Sequence, residues 1–165
     1  AILAVVWGGV LGGFAAGPFD VALAYGETET ITANKFEVWN VGGSWNFGFL
    51  KLSGFFSSIE ADGNGRSASR ENWYVGGSMP FGQWNFKASY GGTNGKDLLD
   101  NVDASQWAIG ADYNLSKRTA VYSKYAQIKN DRGAAASVTG GTAQTAAPIA
   151  NGKSKGFEVG VRHFF

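Results

Sequence analysis

The chain has 165 residues, with 14 Lys and Arg against 13 Asp and Glu, and this balance, without any long basic run, gives no footing for a nucleic-acid partner. Its 25 Gly, 3 Pro and 15% aromatics suit one turn-rich all-β domain, and zero Cys excludes a disulfide framework and thiolate metal sites. One His leaves no Ser-His-Asp unit or His-rich metal cluster, so neither an enzyme nor a metal or other cofactor is indicated.

The first segment, Ala1 to Ala16, is uncharged, so a signal peptide or membrane helix has to be weighed. It is shorter than the ~20 residues a spanning helix needs, holds four Gly, and lacks an initial Met and a basic n-region, which favours a strand over about 4–16. After a turn at Gly17-Pro18 a second strand covers about 18–26. A motif then recurs three times at a spacing of 34 residues: Trp39-Asn-Val-Gly-Gly-Ser-Trp-Asn-Phe-Gly48, Trp73-Tyr-Val-Gly-Gly-Ser-Met-Pro-Phe-Gly82 and Trp107-Ala-Ile-Gly-Ala-Asp-Tyr-Asn-Leu-Ser116. Gly8 and Gly9 lie 34 residues before Gly42 and Gly43, so Val5 to Gly13 reads as a degenerate first copy.

Each copy alternates large apolar with small or polar residues, the period of a strand with one greasy and one wet face. Short turns at Gly48, Gly82 and Ser116-Lys117 lead into further alternating strands, so the repeat unit is a hairpin. The strands predicted are about 35–47, 49–59, 71–81, 83–92, 104–115, 118–129 and, last, 155–165, with longer polar loops over 27–34, 61–70, 93–102 and 131–155.

Alternation alone fits a soluble barrel as well as a membrane one; the placement of aromatics separates them. Trp39 and Phe47, Trp73 and Phe81, Trp84 and Tyr90, and Trp107 and Tyr113 stand near strand ends on the apolar parity, as aromatic girdles do at two membrane interfaces. The wet parity reads Asn40, Gly42, Ser44, Asn46, Gln106, Asp112 and Asn114, where a small soluble barrel would be filled with bulky apolar side chains. The reading is a transmembrane antiparallel β-barrel.

Nine strands would make the first and last parallel if this chain closed alone, which single-chain bacterial barrels avoid. An interior of Gly, Ser, Asn and scattered charges also underfills an eight-stranded bore of about 16 Å. The expectation is therefore nine C-terminal strands of a sixteen-stranded barrel, residues 1–165 forming part of a single barrel domain. The alternative is a small eight-stranded, non-conducting barrel of structural or adhesive role, with Ala1 to Ala16 outside the sheet.

Leu115-Ser-Lys-Arg-Thr-Ala-Val-Tyr122, Ala126-Gln-Ile-Lys-Asn130, Gly156-Phe-Glu-Val-Gly-Val-Arg-His-Phe-Phe165 and the hairpin from Gly42 to Gly54 resemble the closing strands of trimeric general porins of Gram-negative bacteria, of the beta-proteobacterial type. The resemblance implies an outer-membrane location, a sixteen-stranded barrel, a homotrimer, passive diffusion of ions and small hydrophilic solutes, and contact with outer-membrane lipid, lipopolysaccharide and the barrel-assembly machinery. The family's N-terminal strands and constriction loop have no counterpart in this chain.

Lys51, Lys87, Lys124 and Arg162 fall on the lumen parity of four strands, and fixed cations along a narrow aqueous path lower the barrier for anions, giving a modest anion preference. Asp20, Glu37, Asp112 and Glu158 are the expected lumen acids, and the bland reading is that they cancel the cations. The parity of Lys124 is open, because Tyr122 and Tyr125 lie on opposite faces. Phe157, Val159, Val161, His163 and Phe165 share the outward parity of the last strand; the resemblance implies that this terminal row is read as an assembly signal, and the plain alternative is one more girdle aromatic at Phe165.

Overall fold

The computed structural model describes residues 2–6, 8–29, 35–63, 66–97, 102–138 and 150–165. Ten strands form one antiparallel meander, each paired with its sequence neighbours: β1 Ile2–Val6, β2 Gly9–Ala16, β3 Phe19–Glu29, β4 Lys35–Asn46, β5 Lys51–Gly63, β6 Arg66–Phe81, β7 Trp84–Asp97, β8 Asp103–Asn114, β9 Thr119–Asp131 and β10 Lys153–His163. No described residue is helical. The strand expected over 4–16 is two strands, because the chain reverses at Gly8, whose φ of 85° is accessible to glycine and costly for other residues. The other eight expected strands each have a counterpart, so the count becomes ten and β1 and β10 run antiparallel. The parity argument for a missing half therefore falls. Residues 2–6 and 9–16 also lie in the sheet, against the alternative that placed Ala1 to Ala16 outside it.

The short turns stand where the alternation placed them. Gly17, Gly48 and Gly82 take φ of 56°, 88° and 59° in open space, and in the fourth turn the Ser116 hydroxyl accepts from the backbone N–H groups of Arg118 and Thr119 at 3.2 and 3.0 Å. The opposite rim differs from expectation. Residues 61–63 and 66–70 pair as strand rather than loop, as do 27–29 and 93–97. Their polar side chains extend the ladder into water, where pairing needs no apolar face. Residues 30–34, 64–65, 98–101 and 139–149 of the expected loops lie outside the described residues.

Register is unbroken in every pair, so parity assigns each residue to one face. The outer face carries an aromatic belt toward the long-loop rim: Tyr25 opposite Trp39, Phe56 opposite Trp73, Tyr90 opposite Trp107 and Tyr125 opposite Phe157. Diagonal ring contacts join these pairs, Trp39 to Phe56 at 5.0 Å and both Trp73 to Tyr90 and Trp107 to Tyr125 at 5.2 Å. Near the short turns a second belt runs through Phe19 and Trp45 (5.6 Å), Trp45 and Phe47 (5.7 Å), and Trp84 and Tyr113 (4.8 Å).

The upper belt drops two residues at each diagonal contact. That is roughly 20 Å of stagger over seven strand steps of about 4.8 Å, so the strands tilt by about 30° if the belt marks the membrane plane. A tilt of that size is close to the 35–45° of outer-membrane barrels.

Candidate functional site: a cationic lumen wall

Lys51, Lys87 and Lys124 occupy one row across the sheet. Lys51 is register partner of Ser78, Ser78 of Lys87, Lys87 of Gly110, Gly110 of Lys124, and Lys124 of Glu158. Alternate strands thus carry an amine, and the residues between them are too small to cover it. Tyr122 shares the face of Lys124, whose Nζ is 4.7 Å from the Tyr122 ring centroid, while Tyr125 is on the opposite face with Trp107; Lys124 thus shares the face of Lys51 and Lys87.

Below this row lies a set of ion pairs. The Asp112 carboxylate, 3% exposed, is 2.5 Å from Lys87 Nζ and 3.6 Å from Arg162 Nη2. Tyr122 donates to Glu158 at 2.7 Å, and its ring covers Gly160, where a Cβ would stand 2.6 Å from the phenol oxygen. Asp20 also faces the lumen, beside Ser44 and Ala22.

Glu37 does not. It lies on the face of Trp39, accepts from Tyr25 at 3.0 Å, and together with Glu27 holds Lys35 at 2.8 and 3.3 Å. Its odd number puts it on the girdle parity, and its height above the belt lets a charge stand on the outer wall.

Two lumen cations escaped the sequence reading: Arg66 and Arg70, on the face of Tyr74 and Ser78 in β6. They fell in a stretch read as loop, so no parity was assigned to them. Among the described strand side chains the lumen face therefore carries Lys51, Arg66, Arg70, Lys87, Lys124 and Arg162 against Asp20, Asp112 and Glu158. The outer rim collects the acids Glu27, Glu37, Glu60, Asp62 and Glu71. Phe157, Val159, Val161 and His163 all face outward, and the His163 and Phe165 rings meet edge to face at 4.9 Å.

A tilted antiparallel meander with a polar, cation-rich face and an opposite face banded by aromatics has the pattern of an outer-membrane β-barrel wall. Residues 5–133 match the family model described as Gram-negative porin, and the chain belongs to that family. It is 28% identical over 167 residues to outer membrane porin protein 32 of Delftia acidovorans, covering 96% of this chain and 47% of the relative. An anion-selective porin from Comamonas acidovorans superposes with a TM-score of 0.81 at 29% identity, over 95% of this chain and 48% of that one. OmpT, an outer membrane protein of Vibrio cholerae, shares the fold with a TM-score of 0.72 at 15% identity, over 95% of this chain and 55% of its own. The chain thus spans about half the length of the relatives it matches, and it is an outer-membrane protein.

Proposed function

We propose that this chain forms one side of a water-filled diffusion channel that passes ions and small hydrophilic solutes with a modest preference for anions. The observation that carries this reading is the row of Lys51, Lys87 and Lys124. Successive amines are two strands apart, about 10 Å, which matches the Debye length at 0.1 M salt. An anion leaving one amine is already within the field of the next. Because the row runs perpendicular to strands tilted by about 30°, the three amines climb about 10 Å toward the long-loop mouth. The similarity to an anion-selective porin supports the same sign.

Both edges of the sheet are unpaired, and lipid does not tolerate open backbone edges. The match to about half the length of the similar porins supports reading the ten strands as one portion of a wider closed barrel, of sixteen strands, assembled as a homotrimer amid outer-membrane lipid and lipopolysaccharide. The test is ion selectivity in planar bilayers. Lys51→Glu combined with Lys87→Glu should move the reversal potential in a salt gradient toward cation preference; no movement would remove the row from the selectivity argument.

The outward apolar row ending at Phe165 supports recognition by the barrel-assembly machinery, since Phe165 is fully exposed and free to be read. Deleting Phe165 should reduce insertion in cells far more than refolding into lipid in vitro. Equal losses in the two assays would leave Phe165 a stabilising anchor only.

A further inference from the structure

Above the lysine row the lumen wall opens into a cavity of about 750 Å³. Its floor is made by Ser89, Ala108 and Ala126, neighbours in register on β7, β8 and β9, and spans about 10 Å. An aromatic wall closes one end, where the Tyr74 ring lies down over Gly76, in the space a Cβ would need. Val138 closes the other, with Cγ1 2.7 Å from where a Cβ of Gly156 would stand.

Val138 is held there by the chain that follows β9. The Asn130 side chain, in a residue only 1% exposed, donates to the carbonyl of Ala136 at 2.9 Å and accepts from its N–H at 2.8 Å. Ser154 Oγ then accepts from the Val138 N–H at 3.1 Å. The Val138 wall is therefore set before any solute arrives, which lowers the ordering cost of binding.

The two long edges of this trough differ in charge. The lower edge is charged: Lys124 stands in register with Glu158, whose carboxylate accepts from Tyr122, and forms no ion pair with a carboxylate among the described residues, while Lys87 uses one of its three donors on Asp112. The upper edge is neutral, with Gln106 and the buried Ile128 in register. One charged edge, one uncharged edge, a flat floor and an aromatic end wall define the shape and polarity of a ligand. We infer that the trough binds planar aromatic monocarboxylates, the ring lying on the floor against Tyr74 and the carboxylate reaching Lys124 and Lys87. The inference rests on the channel reading above and names a solute class for it.

The test uses the channel in its native assembly in planar bilayers, with benzoate as probe and acetate, of equal charge and without the ring, as control. Benzoate should reduce single-channel conductance saturably, and acetate at the same concentration should not. Tyr74→Ala removes the end wall and Ala108→Leu fills the floor; each should raise the half-blocking benzoate concentration about tenfold, with acetate measured alongside in both. Benzoate that acts no differently from acetate in the unmutated channel overturns the inference, and so does block that is unchanged in conducting channels of both variants. Chloride preference without benzoate block sinks this inference alone. Benzoate block without chloride preference sinks the selectivity reading alone.

Discussion

The outer and inner faces of these ten strands solve opposite problems with the same backbone. On the outer face the belt side chains meet through rings, Trp39 with Phe56, Trp73 with Tyr90 and Trp107 with Tyr125, and the residues between the belts (Val21, Leu23, Val41, Val75, Ile109) are apolar. On the lumen face they meet through charge: Lys87 with Asp112, Arg162 with Asp112, Tyr122 with Glu158. Lipid offers neither water nor a hydrophobic driving force, so the outer face gains from ring packing at the interfaces, about 0.5–1.5 kcal/mol per aromatic pair. On the inner face the amines of Lys87 and Arg162 are exposed enough to be solvated, while the Asp112 carboxylate they share is buried and depends on them. Ring packing lies on one face and charge pairing on the other.

The sharpest way to break that division is to put the same charge on two adjacent residues. Leu23 faces outward, between Val21 and Tyr25, whereas Ala22 faces the lumen beside Asp20. Leu23→Arg should destabilise the folded barrel by about 2–4 kcal/mol, the cost of an arginine near the bilayer midplane. Ala22→Arg should cost no more than about 0.5 kcal/mol, as a water-facing surface change does. Urea unfolding in lipid vesicles measures both. Equal costs would mean that parity does not separate lipid from water here.

A smaller effect separates the belts from the lumen contacts. Trp107 faces Tyr90 in register and contacts the Tyr125 ring at 5.2 Å, so Trp107→Ala removes that ring contact and a large interfacial side chain and should cost about 1–3 kcal/mol. Tyr122→Phe removes only the hydrogen bond to Glu158 and should cost about 1 kcal/mol or less. The same unfolding assay ranks them, and a reversed order would move the stabilising contacts to the lumen side.

How far the sequence foretold these faces follows from which signals are local. Period-2 alternation is local, and it placed Trp39, Trp73 and Trp107 outward and Lys51 and Lys87 inward before any pairing was known. The row that unites the lysines is not local, because it depends on the register across connections on the long-loop rim. One such connection did carry a signal. Asn-Gly, the dipeptide at 64–65, is a sequence that favours tight hairpins, and the described residues Gly63 and Arg66 are register partners. Read as a turn, it would have made Ala61 to Arg70 a hairpin tip and given Arg66 and Arg70 their lumen parity. Glu37 departs from the expected lumen set because it shares the parity of Trp39 and stands above the belt, where a charge on the outer wall is tolerated. The reversal at Gly8 is hidden in the sequence because Gly8 and Gly9 lie one 34-residue repeat before Gly42 and Gly43, which are a strand interior.

The smallest expected effect is the most informative about the inner face. Asp112 is buried, whereas the side chains of its partners Lys87 and Arg162 are 41% and 45% exposed. Removing the acid leaves two cations that water can solvate in place, but removing the cations leaves a carboxylate shut away without a partner, which is the costly direction. Asp112→Asn keeps the shape of the side chain and should therefore change stability by about 1 kcal/mol or less, while the double change of Lys87→Gln with Arg162→Gln should cost more. Because Asp112 cancels one of the two positive charges it touches, its loss adds one net positive charge to the lumen beside Lys51 and Lys124. The reversal potential of Asp112→Asn should then move further toward anion preference, opposite in direction to Lys51→Glu with Lys87→Glu. A shift toward cations would mean that Asp112 acts by holding Lys87 in the path rather than by cancelling its charge, and the lysine row would owe its effect to position more than to number.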